Sequence, residues 1–166
     1  DLFVPDWRGG VTRIRLRPDS ALRASSRLEE HTRVTADGSQ ETWLARTTHD
    51  VRPNGIALLP DGSFLLASLG GAGGVWRLER NGRLAPFVTE VDGVTLPPAN
   101  FVTSDHLSRV WISVSTRRAP RQDGWRPDVA DGFIVLVDDT GERVVADGLH
   151  YANEVRPDPS GTWLYA

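Results

Sequence analysis

The same fourteen-residue pattern occurs three times in this chain, and it limits the folds that the sequence can adopt. Each copy opens on an asparagine, has an aliphatic residue two places later, passes through a polar turn and closes on a short apolar run. The copies are residues 54–67, 100–113 and 153–166, and they begin 46 and 53 residues apart. A period of roughly 40–50 residues built from short strands is typical of the blades of a β-propeller. The repeat therefore predicts an all-β fold.

Strand and turn signals divide the chain into units of four short antiparallel strands. In the best-defined unit the predicted strands are 54–59, 63–68, 74–79 and 84–89. Asn81 and Gly82 predict a hairpin turn between the last two, because both tolerate positive φ. The next unit has predicted strands 100–104, 109–115, 132–137 and 142–146. Trp76, Trp111 and Trp163 are predicted to pack between units.

These units predict a single partial propeller domain of about three blades. Its parts are a partial blade plus an insertion (1–51), two whole blades (52–97 and 98–150) and the start of a further blade (151–166). Because a strand signal begins at residue 2 and the third copy stops in its apolar run, we expect a piece of a longer protein. Uncovered blade faces favour association, so the remaining blades of the same protein, or self-association, are the expected partners.

The composition excludes several classes of function. The formal net charge is −3 and no basic block is present, which argues against nucleic-acid binding. No apolar run approaches the roughly 18–20 residues of a membrane-spanning helix, so we predict a soluble protein without a membrane partner. Cysteine is absent, which excludes disulfides and thiol chemistry. The compartment stays open, with a cytoplasmic location slightly favoured.

The repeated asparagine has two interpretations. In a propeller the first strand of each blade lines the central channel, so residues leading into it converge at one mouth. Asn54, Asn100 and Asn153 would then bring together neutral amide oxygens, which suit Ca²⁺ or Mg²⁺ when combined with carboxylates. Alternatively, each asparagine hydrogen-bonds its own backbone at a strand entry, a common turn role. Three at one repeat position favour a shared site, although a repeated turn would also repeat its asparagine.

Two groups of motifs resemble a known family. They are RPNGIA from residue 52 with PDG from residue 60, and GLHYAN from residue 148 with WLY from residue 163. They are similar to motifs of the senescence marker protein/gluconolactonase/regucalcin superfamily, which includes diisopropylfluorophosphatase-like and strictosidine synthase-like proteins. The resemblance covers 52–166 well and 1–17 loosely. It implies a six-bladed β-propeller with a divalent cation, usually Ca²⁺, at the channel mouth.

The resemblance also implies roles for the asparagines. Asn100 and Asn153 match the two asparagines that bind the cation in the family, and Asn54 would line the substrate pocket. The family's glutamate and aspartate ligands would fall just before Asp1 and about one repeat after Asn153, outside this sequence. Pro98 stands where sugar-lactone hydrolases of the family often have an arginine. This departure weakens the case for an aldonolactone substrate.

Other side chains near the predicted mouth are candidates for chemistry. His150 is a candidate general base, although a loop histidine is often structural or solvated. Glu154 is a second candidate for proton transfer, but a regular strand would point it away from its neighbour. Residues 116–131 form a loop with Arg117 and Arg121, which are candidate pocket residues. That loop is either a lid that recruits an anionic substrate or a solvated loop.

These features predict a metal-dependent hydrolase of a lactone or related ester. A Ca²⁺-like ion would polarise the carbonyl, and water would be the nucleophile. Two alternatives remain open. One is a non-catalytic propeller that binds a ligand or a protein. The other is a strictosidine synthase-like condensing enzyme, which would work without metal on an amine and an aldehyde.

Overall fold

The computed structural model describes residues 1–16 and 36–166, which form a series of antiparallel β-sheets. The first sheet contains β1 (Leu2–Asp6), β2 (Gly10–Leu16) and β3 (Ala36–Leu44) in that order. The insertion predicted within residues 1–51 lies partly outside the described residues, at 17–35. The described part nevertheless supplies the outer strand of this sheet, β3, which pairs with β2.

Two four-stranded sheets follow, each with its strands in sequence order. The second sheet comprises β4 (Pro53–Leu58), β5 (Phe64–Ser68), β6 (Val75–Leu78) and β7 (Leu84–Val88). A small hairpin, β8 (Glu90–Val91) and β9 (Val94–Thr95), leads to the third sheet. The third sheet comprises β10 (Phe101–Ser104), β11 (Val110–Val114), β12 (Gly132–Asp138) and β13 (Gly141–Leu149). The chain closes with a hairpin of β14 (Arg156–Pro157) and β15 (Leu164–Tyr165).

A four-stranded meander in which each strand pairs with the next is the layout of a propeller blade. The two whole blades thus have the predicted strand order, and the predicted all-β, partial β-propeller fold is confirmed. Within the described ranges, no helix has the length and apolar character needed to cross a membrane. The one helical element described is a 3₁₀ turn, Arg121–Gly124, in the loop between β11 and β12.

The core lies between the sheets because the second strand of each of the two whole blades is buried on both faces. All five residues of β5 are buried, and so are all five of β11. Along β5 alternate side chains point to opposite faces. Phe64 and Leu66 therefore join a cluster with Val11 of the first sheet, whereas Leu65 joins one with Ile112 of the third. Side-chain alternation thus joins the second sheet to both of its neighbours.

Several local predictions need correction. β13 runs to Leu149, with a register shift in its pairing to β12, and is longer than the predicted strand. At the predicted Asn81-Gly82 hairpin turn, only Gly82 has positive φ, at 86°, because five residues rather than two separate β6 from β7. Trp76 and Trp111 are buried as predicted, but Trp163 is 67% exposed. Trp163 lies just before the two-residue strand β15, which pairs only with β14 among the described strands.

A glycine brings the first strands of the second and third sheets together. A Cβ atom on Gly55 would lie 2.6 Å from Phe101 Cα and 2.8 Å from Val102 N, so a larger residue would separate the strands. The backbone N–H of Gly55 donates to the carbonyl oxygen of Asn100 at 3.1 Å. This close approach places Asn54, near the start of β4, within reach of Asn100, which immediately precedes β10.

Candidate functional site

Asn54, Asn100 and Asn153 form a hydrogen-bonded series, called here the asparagine ladder. Asn54 Nδ2 donates to the backbone oxygen of Asn100 at 2.9 Å. Asn100 Nδ2 donates in turn to the backbone oxygen of Asn153 at 2.6 Å and to its Oδ1 at 2.5 Å. The three equivalent repeat positions therefore meet in space although 46 and 53 residues separate them.

Asn100 is the centre of the ladder and is only 5% exposed, whereas Asn153 is exposed. The backbone N–H of Asn100 donates to the carbonyl of Ser113 at 2.8 Å, and the Ser113 hydroxyl donates to the Asn153 carbonyl at 2.9 Å. The side chains of Asn54 and Asn100 thus satisfy a backbone carbonyl of the next repeat. The interpretation that each asparagine serves its own backbone is wrong for these two.

Arg121 reaches the ladder from the loop between β11 and β12. Its Nη2 donates to Asn100 Oδ1 at 3.2 Å and to Ser115 Oγ at 3.3 Å. The loop folds back closely, since a Cβ atom on Gly124 would lie 2.6 Å from Thr116 Oγ1. Thr116 Oγ1 also donates to Asp131 Oδ1 at 2.7 Å, which holds the two ends of the loop together. The 3₁₀ turn therefore places a positive charge directly on the central asparagine.

Tyr151 lies beside Arg121, and Trp125 contacts Tyr151 in turn. The ring centre of Tyr151 is 5.5 Å from the guanidinium carbon, and Trp125 packs edge-to-face on Tyr151 with ring centres 6.0 Å apart. Tyr151 has φ of 50°, a left-handed conformation that costs a non-glycine residue about 1–2 kcal/mol. Its hydroxyl is buried without a hydrogen-bond partner among the described residues. Tyr151 was not predicted as a site residue, because nothing in its local sequence distinguishes it from its neighbour His150.

Arg117 does not reach the ladder. Its guanidinium donates to both carboxylate oxygens of Asp147, at 2.8 and 3.0 Å, and stacks 4.1 Å from the ring centre of Phe133. These hydrogen bonds hold the pKa of Asp147 below its ordinary value. Arg117 instead lines a mostly apolar cleft of about 350 Å³ with residues such as Val91 and Leu96. Of the two predicted pocket arginines, the structure brings only Arg121 to the asparagines.

The two predicted proton-transfer residues are both exposed, at the end of the loop that carries Asn153. His150 makes no side-chain hydrogen bond to a residue in the described ranges. Glu154 lies 3.3 Å from the guanidinium of Arg156, which in turn covers the Phe101 ring at 4.8 Å. The Glu154 carboxylate is therefore engaged by a neighbouring cation. The catalytic roles of His150 and Glu154 stay predictions.

The ladder fits a hard divalent cation in the type of its oxygen atoms but supplies only part of a ligand set. Asn100 Oδ1 and Asn153 Oδ1 are neutral amide oxygens, which Ca²⁺ accepts together with carboxylates. Residues 1–16 and 36–166 contain no group of three or more His, Asp or Glu that could hold a metal ion. The charge already present at Asn100 Oδ1 is the positive charge of Arg121. Carboxylates from outside the described residues would have to complete the site.

No family model matches this chain, and no curated protein matches it. The geometry of the ladder and the resemblance of the sequence motifs are therefore the grounds for assigning a function.

Proposed function

We propose that this chain carries part of the active site of a propeller hydrolase that opens lactones or related esters with the help of a divalent cation, most suitably Ca²⁺. The observation that carries the proposal is the asparagine ladder with Arg121 on its central member. Three successive repeats direct polar side chains to one place, and a cationic side chain joins them from a loop. Converging polar groups of this kind suit the binding of a small polar substrate. The family resemblance of the motifs supports the same function.

In this proposal Asn100 and Asn153 hold the cation through their Oδ1 atoms, and carboxylates from the remaining blades or from a second copy complete its ligands. The bound ion would supply Lewis acidity toward the ester carbonyl. Arg121 contributes a fixed positive charge that stabilises the oxyanion as water adds to the carbonyl carbon. Asn54 fixes the backbone of Asn100 and so holds its side chain in place.

Proton transfer in the proposed reaction falls to His150, since Glu154 is engaged by Arg156. His150 takes a proton from the attacking water as the new carbon–oxygen bond forms. The bond from the carbonyl carbon to the leaving oxygen then breaks, and that oxygen receives the proton. The product of a lactone is therefore a single hydroxy acid, and a linear ester gives an acid and an alcohol.

The test is hydrolysis of a panel of lactones and carboxylic esters, followed by acid release, with and without a chelator. Asn153→Ala is the informative variant because its side chain is exposed, and Asn81→Ala, in an exposed turn, is the matched control. We expect chelation and Asn153→Ala to lower the rate by at least about tenfold, since loss of an outer-shell partner alone typically costs about 10–100-fold, and Asn81→Ala to leave it unchanged. Hydrolysis that survives both changes, or no hydrolysis of any substrate, contradicts the proposal. Condensation of an amine with an aldehyde under chelation would support the alternative enzyme class.

A further inference from the structure

We propose that Arg121, Trp125 and Tyr151 form a binding subsite for an aromatic carboxylate, beside the asparagine ladder. These three residues are called here the carboxylate subsite. The inference deepens the proposed function and depends on it for the role of the subsite, because it assigns a chemical class to the substrate or to the acid that hydrolysis releases. The binding itself needs neither turnover nor a metal ion.

Arg121 differs from the other arginines of its loop in having no carboxylate partner among the described residues. Arg117, Arg118 and Arg126 each form an ion pair with an aspartate. Arg121 contacts two neutral oxygens through Nη2 alone, those of Asn100 and Ser115. A guanidinium has five N–H donors in a planar fork. The donors on Nε and Nη1 make no hydrogen bond within the described part of the chain, and they remain for a ligand.

A carboxylate is the ligand that best matches those donors. It accepts two parallel hydrogen bonds from one guanidinium and neutralises its charge. Arg121 is half-buried and is held by uncharged groups, so its charge is poorly balanced locally. A neutral ligand would offer hydrogen-bond acceptors without balancing this charge. The site therefore favours an acid over the corresponding amide or alcohol.

Tyr151 adds two features that the fold alone does not explain. Its backbone is left-handed, and its hydroxyl is buried without a partner among the residues described. Strained backbone clusters at ligand-binding and active sites, and an unpaired buried polar group is rare enough to need an explanation. Because this hydroxyl is buried, a ligand oxygen at Arg121 would reach it only after the Tyr151 side chain rotates, and it would then give the hydroxyl the partner that it lacks.

Trp125 supplies the preference for a ring. It is 66% exposed although it packs edge-to-face on Tyr151. Its free surface adds an apolar wall to the Tyr151 ring, which the Arg121 guanidinium also approaches, and aromatic rings pack favourably on such surfaces. A ligand whose carboxylate is attached to an aromatic ring would contact Arg121 with its charge and Trp125 with its ring. A small aliphatic acid would make the first contact only.

Calorimetric titration of the protein with benzoate tests the proposal, with benzamide and acetate as comparison ligands. We expect benzoate to bind at least about tenfold more tightly than either, since each comparison ligand lacks one of the two contacts. Arg121→Gln should weaken benzoate binding by about tenfold or more, and Tyr151→Phe should weaken it by a smaller factor. Arg118→Gln is the matched control, because Arg118 is exposed on the same loop, and it should change binding less than twofold.

Arg121→Lys is a second variant that tests the same site if Arg121→Gln does not fold. It keeps the charge but loses the fork, so intermediate benzoate binding is expected. Equal binding of benzoate and benzamide, equal binding by wild type and Arg121→Gln, or no benzoate binding at millimolar concentration would overturn the proposal. These outcomes are independent of hydrolysis. Benzoate binding without any esterase activity would leave the subsite standing and refute the proposed function, and the converse result would refute the subsite alone.

Discussion

Replacing Arg121 by glutamine should tighten Ca²⁺ binding at the asparagine ladder by at least about tenfold. Arg121 Nη2 lies 3.2 Å from Asn100 Oδ1, the oxygen that the proposal assigns to the ion. A Ca²⁺–oxygen distance of about 2.4 Å then places the ion within about 6 Å of the guanidinium nitrogen. At that distance a double and a single positive charge repel by about 1.4 kcal/mol in water and by about 5.5 kcal/mol at an effective dielectric constant of 20. The smaller value already corresponds to about tenfold in affinity.

The assay is calorimetric titration of Ca²⁺ into wild type, Arg121→Gln and the control Arg118→Gln, at two ionic strengths. The charge of Arg118 is balanced by Asp131 at 3.8 Å, so its removal should change the affinity little. The effect of Arg121→Gln should be larger at low salt, since the screening length is about 30 Å at 0.01 M and about 8 Å at 0.15 M. Unchanged or weaker Ca²⁺ binding by Arg121→Gln, with wild type still binding, would refute this reasoning. An equal gain in Arg118→Gln would show that only the net charge matters.

Two stability predictions follow from the same contacts. In urea denaturation Asn100→Ala should lower the unfolding free energy by about 1–3 kcal/mol, because it removes buried hydrogen bonds. The control Asn81→Ala, at an exposed position, should change the unfolding free energy by less than about 0.5 kcal/mol. Asp105→Asn should cost about 1–3 kcal/mol at neutral pH, since its carboxylate is 3% exposed and accepts from Arg109 and from the Trp111 indole. Burial raises the pKa of Asp105, but these hydrogen bonds outweigh it and hold the pKa below the ordinary value. The stability that the Asp105 carboxylate contributes is therefore fully present above about pH 4 and is lost as the pH falls further. The difference in unfolding free energy between Asp105→Asn and wild type should then shrink in acid. A difference that does not depend on pH would contradict this assignment.

The strands of the whole blades could be predicted because their signals are local. Strands buried on both faces, such as Val110–Val114, appear as short apolar runs between turn residues. The hairpin of β8 and β9 was missed although its signal was present. Asp92 and Gly93 stand between two valines and both have positive φ, at 53° and 77°, as the two-residue turn requires. At Asn81 the same dipeptide signal failed, because its side chain instead accepts the N–H of Arg83 at 2.8 Å within a longer loop.

The convergence of the asparagines was predictable from the repeat, but their hydrogen bonds were not. They depend on the approach of two strands at Gly55, which is set by contacts between sheets. The difference between Arg117 and Arg121 was also invisible in the sequence, since both belong to one loop. The different placement of the two arginines is determined by Asp147, which lies 30 residues from Arg117 in the sequence and pairs with it. Local sequence cannot encode which of two neighbouring arginines finds a distant carboxylate.

The shared oxygen of Asn100 links the two proposed ligands of the site. Arg121 and the cation would both contact Asn100 Oδ1 and would repel each other unless negative charge lies nearby. A carboxylate bound to Arg121 neutralises the guanidinium, so benzoate should strengthen Ca²⁺ binding, and Ca²⁺ should strengthen benzoate binding by the same factor. In Arg121→Gln this coupling should disappear, because the charge that causes it is gone. Coupling that persists in Arg121→Gln would show that the two ligands communicate by another route, and that Arg121 does not lie between them.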